Sequence, residues 1–157
     1  MRIHIIAIAG TGMGSLAGLL QQLGHEVSGS DVQFDPPMGP ALESWGIRCL
    51  EGFDPAHLEP PPDLVVVGNV CRRDNPEAAA ARERGLPTTH IAGALQQFAL
   101  PGTAPLVVAG PHGKTTTSAL CAWLLDACGF QPGFLVGGIP RNFDHSFRAA
   151  GGNPDPD

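Results

Sequence analysis

Short apolar runs alternate along this chain with longer stretches in which apolar residues recur at helical spacing. Residues 3–9 form an almost unbroken apolar run of strand length, the pattern of a parallel strand buried on both faces. Past a glycine turn, Met13, Leu16, Ala17, Leu20 and Leu23 share one helical face, and Gly24 supplies the stop. Glu26 to Ser30 predicts a second strand ending in Asp31. Pro40 to Trp45 predicts a short helix closed by Gly46, and residues 47–50 a third strand. The Leu64-Val65-Val66-Val67 run is another buried strand, ending at Gly68-Asn69. Pro76 to Arg84 reads as an alanine-rich helix, with proline at its first position and Gly85 beyond its end. A strand near residues 87–90 and a helix over 91–98 complete the unit.

Two prolines and a glycine in Leu100–Pro105 then mark a boundary. A new strand–loop–helix starts at Leu106, its helix carrying Leu120, Trp123, Leu124 and Ala127 on one face and closing at Gly129. Residues 133–136 predict a further strand, followed by Gly137-Gly138 and a polar loop, and the tail from Gly151 to Asp157 holds nothing that could pack. The expected division is 1–103 and 104–157. The alternation predicts an α/β fold: a Rossmann-like parallel sheet, followed by the start of a P-loop ATPase domain. About 50 residues are few for a nucleotide-binding parallel sheet, so the chain is expected to be the N-terminal piece of a longer protein.

Composition narrows the possibilities. A hydrophobic content of 43% supports a core, while a net charge of −6 argues against a nucleic-acid or anionic-membrane surface. Anion binding must therefore be local. Cys49, Cys71, Cys121 and Cys128 form no C-x-x-C pair, and buried thiols are the expected reading. No leader pattern and no apolar run near eighteen residues is present, which predicts a soluble, cytoplasmic protein with no obligate protein partner.

The chemistry concentrates in two glycine-rich turns. In the first, Gly10 and Gly12 fit the opening of G-x-G-x-x-G, with Ser15 at the third position and Gly14 displaced by one. Asp31 stands at a strand end where dinucleotide folds place a ribose-binding carboxylate. Glycines let backbone approach a phosphate, and the following helix aims its free N–H groups at the anion. These residues alone suggest NAD and a dehydrogenase. The second turn, Gly110-Pro111-His112-Gly113-Lys114-Thr115-Thr116, adds a lysine and hydroxyls, the equipment for a triphosphate with Mg²⁺. It is shorter than a strict Walker loop, because Val108 occupies the place of its first glycine. His4, His25 and His57 read as ordinary fold positions and His145 as a loop residue; only His112 lies inside a phosphate loop.

Gly110-Pro-His-Gly-Lys-Thr-Thr-Thr117 resembles the ATP loop of the Mur ligase family, in which threonine is usual at the place of Pro111. Proline removes one possible phosphate donor. Gly10-Thr-Gly-Met-Gly14, Gly29-Ser30-Asp31 and Asn75-Pro76-Glu77 resemble the branch that uses UDP-N-acetylmuramate. Asp35-Pro36-Pro37-Met38, Gly52-Phe53-Asp54-Pro55, Gly68-Asn69 and Gly137-Gly138-Ile139-Pro140-Arg141-Asn142-Phe143 are similar to those members that join it to L-alanyl-γ-D-glutamyl-meso-diaminopimelate in cell-wall recycling. The resemblance implies ATP-dependent amide formation through an acyl phosphate, with the UDP part held by Gly10, Thr11, Gly12, Met13, Gly14, Asp31, Asn69 and Asn142. It further implies that Gly110, His112, Gly113, Lys114, Thr115 and Thr116 hold ATP, that Lys114 and Thr115 are catalytic, and that Thr115 meets Mg²⁺. The sister enzyme that adds L-alanine, and a non-catalytic nucleotide-binding module, are the alternatives.

Overall fold

The computed structural model describes residues 1–151, so the expected tail lies, after Gly151, outside the described residues. Strands β1 (Arg2–Ile6), β2 (Glu26–Asp31), β3 (Arg48–Glu51), β4 (Leu64–Val67) and β5 (Thr88–Thr89) form one parallel sheet in the order β3-β2-β1-β4-β5. Helices α1 (Thr11–Gln22), α2 (Met38–Ser44), α3 (Pro76–Glu83) and α4 (Ile91–Ala94) connect them, and α4 runs on into a π-turn over Leu95–Ala99. A 3₁₀ turn at Pro55–Leu58, capped by Asp54 accepting from the Ala56 N–H at 2.8 Å, was not expected from the sequence.

β1 is central, pairing with β2 on one side and β4 on the other. Its alternate side chains serve opposite layers. Ile3 and Ile5 pack with Leu16 and Leu20 of α1, whereas Ile6 joins Val65, Ala78 and Ala81 under α3. Burial on both faces is what an unbroken apolar run provides, and each such side chain contributes about 1.5–3 kcal/mol.

The second half departs from expectation. Residues 106–108 pair with no strand among the described residues, and Leu106 and Val107 are 71% and 79% exposed. Helix α5 (Lys114–Ala127) forms as predicted and Gly129 ends it at φ +83°, yet Leu120, Trp123 and Leu124 are exposed and Ala122 is its buried residue. Among the described residues no strand of a parallel sheet lies under this helix, so most of its apolar face stays uncovered. The strand expected over 133–136 forms as β6 (Phe134–Leu135), but it pairs antiparallel with β7 (Phe147–Arg148), a strand and a pairing that the sequence pattern did not predict. This hairpin lies against α1: Phe147 and Ala149 cluster with Leu19. His145, expected as a plain loop residue, stacks on Phe147 at 5.3 Å and meets Trp45 edge-on. The four cysteines are unpaired; three are half-buried and Cys128 is exposed, so the expectation of buried thiols holds only in part. Burial pushes the Cys49 and Cys71 thiols up.

The least expected feature is Glu77, wholly buried in the first turn of α3. Asn75 caps that helix by accepting from the Ala78 N–H at 3.0 Å, and Pro76 takes the first helical position. Glu77 Oε1 accepts from His57 Nδ1 at 2.5 Å and from the Asp54 N–H at 3.2 Å. Its Oε2 accepts from the Ser30 hydroxyl and lies 3.5 Å from His4 Nε2, while His4 Nδ1 is 3.1 Å from Ser28 Oγ. His4 and His57 are therefore partners of a buried carboxylate rather than ordinary fold positions. Burial works to raise the Glu77 carboxyl, but hydrogen bonds from His4, Ser30 and His57 outweigh it and hold the group below its ordinary value.

A carboxyl lowered in the fold stabilises it above the unfolded value of 4.5, and that stabilisation is lost as pH falls through the lower folded value. Glu77→Gln is expected to lower unfolding free energy at neutral pH by about 1.5–3 kcal/mol, since bonds to a charged acceptor are lost. The gap to the parent chain should close on acidification below pH 4.5, read from urea midpoints at the two pH values.

Candidate functional site

β1 ends at Ile6, earlier than the apolar run suggests, because Ala7 adopts φ +65°. This left-handed backbone is unfavourable by about 1–2 kcal/mol for a residue with a Cβ. Neighbouring bonds hold it. The N–H groups of Ala7 and Ile8 both donate to the Ser30 carbonyl, at 2.8 and 3.1 Å, and the Ala9 N–H donates to Asp31 Oδ2 at 2.9 Å. Gly68 closes the turn from the other side: a Cβ there would stand 3.0 Å from the Ala7 Cβ.

The chain then enters α1 with Gly10 as N-cap and no side chain capping it. The N–H groups of Thr11, Gly12 and Met13 thus have no acceptor within the helix and sit at its positive end. A Cβ on Gly14 would lie 2.7 Å from Met38 Cγ and 3.2 Å from the Ile8 carbonyl. Gly14 therefore allows α1 to approach α2 and the backbone just after β1 closely, the kind of tight packing expected of a third fingerprint glycine. Gly10 and Gly12 differ, since the nearest atoms to a Cβ there are both at 3.6 Å, an ordinary contact. Protein packing does not demand bare backbone at either position. The side chain of Met13 is buried in the core, which leaves its N–H as the group facing the turn.

Asp31 ends β2, and Asn69 follows the end of β4, exposed. With the glycine turn after β1, these residues share the carboxyl edge of the sheet. The chain leaves β1 toward β2 on one side while β4 lies on the other, so this edge is the topological switch point where open α/β sheets bind ligands. Asp31 is partly engaged already, because its Oδ1 accepts from the Val32 N–H at 2.8 Å and its Oδ2 from Ala9. A carboxylate has about four acceptor sites, so capacity for ligand hydroxyls remains.

The second turn has Gly110 at φ +151° and Gly113, the N-cap of α5, at φ +76°. Lys114 Nζ folds back over the loop, donating to the Gly110 carbonyl at 2.6 Å and the Pro111 carbonyl at 3.3 Å. Proline costs the loop a donor but leaves this carbonyl to position the lysine. His112 and Thr116 are exposed. Thr115 faces the Gly137-Gly138 turn: a Cβ on Gly137 would stand 3.8 Å from Thr115 Oγ1, and one on Gly138 3.6 Å from its Cγ2. Asn142 is exposed in the loop that joins β6 to β7. The structure thus groups Gly10–Gly14, Asp31 and Asn69 at one sheet edge, and Lys114 and Thr115 at the mouth of α5.

A cavity of about 360 Å³ opens elsewhere, beside His4, Ser28, Arg48 and His57. It touches neither glycine turn.

Residues 2–102 match the family described as "Mur ligase family, catalytic domain". The chain is 49% identical over 146 residues to the UDP-N-acetylmuramate–L-alanyl-γ-D-glutamyl-meso-2,6-diaminoheptandioate ligase of Escherichia coli K12, covering 93% of this chain and 32% of that protein. It is 41% identical to the UDP-N-acetylmuramate–L-alanine ligase of Kineococcus radiotolerans, covering 98% of this chain and 32% of that protein. A solved UDP-N-acetylmuramate:L-alanyl-γ-D-glutamyl-meso-diaminopimelate ligase from Neisseria meningitidis superposes with a TM-score of 0.89 at 45% identity, over 94% of this chain and 46% of that one. The chain spans about a third of the length of the curated relatives it matches.

The double engagement of Asp31 has a consequence for the fold itself. Asp31→Ala frees two backbone N–H groups, one of them at the left-handed turn, and is expected to cost about 1–3 kcal/mol of stability. Asp31→Asn retains an acceptor oxygen and should lose less. Urea unfolding of both variants measures the difference; equal stability of Asp31→Ala and the parent chain would contradict the assigned role.

Proposed function

The chain belongs to the Mur ligase family, and from that premise we propose that it is the nucleotide-holding part of a ligase joining UDP-N-acetylmuramate to L-alanyl-γ-D-glutamyl-meso-diaminopimelate. The observation that carries this reading is the uncapped N-terminus of α1 at the switch point, fronted by glycines whose bareness no protein contact requires. Room left in front of free N–H groups suits a diphosphate. In this reading residues 1–103 bind the UDP-sugar, and residues 104–157 begin the ATP unit. The tripeptide is favoured over L-alanine by the higher identity to the tripeptide-using relative. Turnover belongs to a protein of the relatives' full length, and the 157 residues bind the sugar nucleotide.

The roles follow from chemistry. The N–H groups of Thr11, Gly12 and Met13 take the diphosphate, Asp31 accepts from ribose or uracil-side donors with its remaining lone pairs, and Asn69 and Asn142 are further contacts to the sugar nucleotide. At α5, Gly110, His112, Gly113 and Thr116 shape the ATP loop. Lys114 moves from the loop carbonyls onto β- and γ-phosphate oxygens, whose charge it neutralises as the muramate carboxylate attacks. The bare αL N-cap of α5 would take a phosphate, and the hydroxyl of Thr115 would be the protein's ligand to a phosphate-bound Mg²⁺. That ion supplies charge neutralisation at the transferring phosphate when bound. The UDP-sugar and peptide enter as small molecules, and among the described residues no helix is long and apolar enough to cross a membrane.

A sugar nucleotide at one hundred times its dissociation constant stabilises the folded chain by roughly 2.7 kcal/mol, raising the melting temperature by about 5–10 °C. UDP-N-acetylmuramate should produce this shift and NAD should not. A shift with NAD alone would return the dehydrogenase reading to the front.

A further inference from the structure

The β6–β7 hairpin follows the proline-rich linker and α5 in sequence, yet it is gripped by three successive positions on one face of α1. Ser15, Gly18 and Gln22 stand at the spacing that places side chains one above another on a helix. Ser15 Oγ lies 2.7 Å from the Thr11 carbonyl, 3.1 Å from the Val136 carbonyl and 2.6 Å from Ser146 Oγ. Ser15 and Ser146 are fully buried and Val136 almost so. One hydroxyl carries one proton, so Ser15 donates to a carbonyl while Ser146 donates to Ser15. A turn further along, a Cβ on Gly18 would land inside the Phe147 ring, so the ring sits directly on the helix backbone. At the far end, Gln22 Oε1 accepts from the Ala149 N–H at 2.8 Å.

This grip has a direction. Ser15 belongs to the first turns of α1, behind the N–H groups assigned to the diphosphate. Val136 leads directly into Gly137-Gly138, the turn that lies against Thr115 at the mouth of α5. Ser146 completes the connection between the two helix N-termini: its hydroxyl donates to Ser15, and its carbonyl accepts from the Val136 N–H at 2.8 Å. Ser15 sits where the fingerprint would have glycine, and its hydroxyl has a use that glycine could not serve.

We infer that Ser15 and Ser146 form a positioning latch that holds the Gly137-Gly138 turn, and with it Thr115, in fixed relation to the diphosphate-binding end of α1. The inference rests on the two-nucleotide reading above. Through the latch, a ligand that orders one turn leaves less to be ordered by the second, which appears as mutual enhancement of binding.

The test is a binding cycle by calorimetry on a protein of the relatives' full length that contains this chain, so that the ATP unit is complete. UDP and Mg²⁺ with a non-hydrolysable ATP analogue are titrated singly and each in the presence of the other. In the parent chain each ligand should tighten the other by about fivefold or more. In Ser15→Ala the separate dissociation constants should stay within about twofold while the enhancement disappears, as expected when a coupling link and not a site is removed. Ser146→Ala breaks the link from the hairpin side and leaves α1 untouched, so it answers the question if Ser15→Ala folds poorly; the double variant should lose no more than either single one. Separate binding without enhancement in the parent chain, or enhancement that survives in Ser146→Ala, overturns the latch while leaving the nucleotide reading standing. Failure of UDP to bind at all removes both.

Discussion

Three consecutive backbone N–H groups at the end of β1 are held by a single neighbouring strand end, and the site follows from that constraint. The Ser30 carbonyl takes two of them and the Asp31 carboxylate the third. Together these bonds contribute about 1.5–4.5 kcal/mol, against roughly 1–2 kcal/mol for the left-handed backbone of Ala7. The bonds win, so the chain turns sharply out of the sheet at Ile6. α1 then starts over the strand edge with its free N–H groups facing outward. A straighter exit would carry those groups away from the switch point.

Ser30 also ties this turn to the opposite layer. Its carbonyl holds Ala7 and Ile8, while its buried hydroxyl donates to Glu77. Glu77 in turn gathers His4 from β1, His57 and Asp54 from the 3₁₀ turn, and stands in the first turn of α3, where the helix end favours negative charge. A buried carboxylate alone would be costly, and here each of its oxygens has donors. The electrostatic cluster under α3 and the glycine turn that opens α1 thus share one residue, so a disturbance in either is felt by the other.

The sheet was legible because β1 and β4 need apolar residues on both faces, and continuous apolar runs have few other readings. The glycine turns and Asp31 were legible as chemistry, since free N–H groups and a strand-end carboxylate announce themselves by spacing. Glu77 was not: a glutamate beside a proline at a helix start ordinarily faces solvent, and its partners are far apart in sequence. The early end of β1 was hidden as well, because nothing in an alanine announces a positive φ. Leu120, Trp123 and Leu124 repeat at helical spacing and predicted a buried face, but periodicity reports only that a face is apolar. It cannot say whether another element lies against it.

Gly18 and Phe147 sit on opposite sides of the proline-rich linker, yet neither can change size alone. Any side chain at 18 requires the ring at 147 to shrink or move, and a smaller residue at 147 leaves a void over α1. Across a lineage these positions must therefore drift as a pair, through intermediates that lose stability. An exchange of the first hundred residues between related proteins would carry one half of this pair into the company of a stranger. Recombination at the linker, where the chain looks most divisible, is thereby restrained by one ring resting on one bare backbone position.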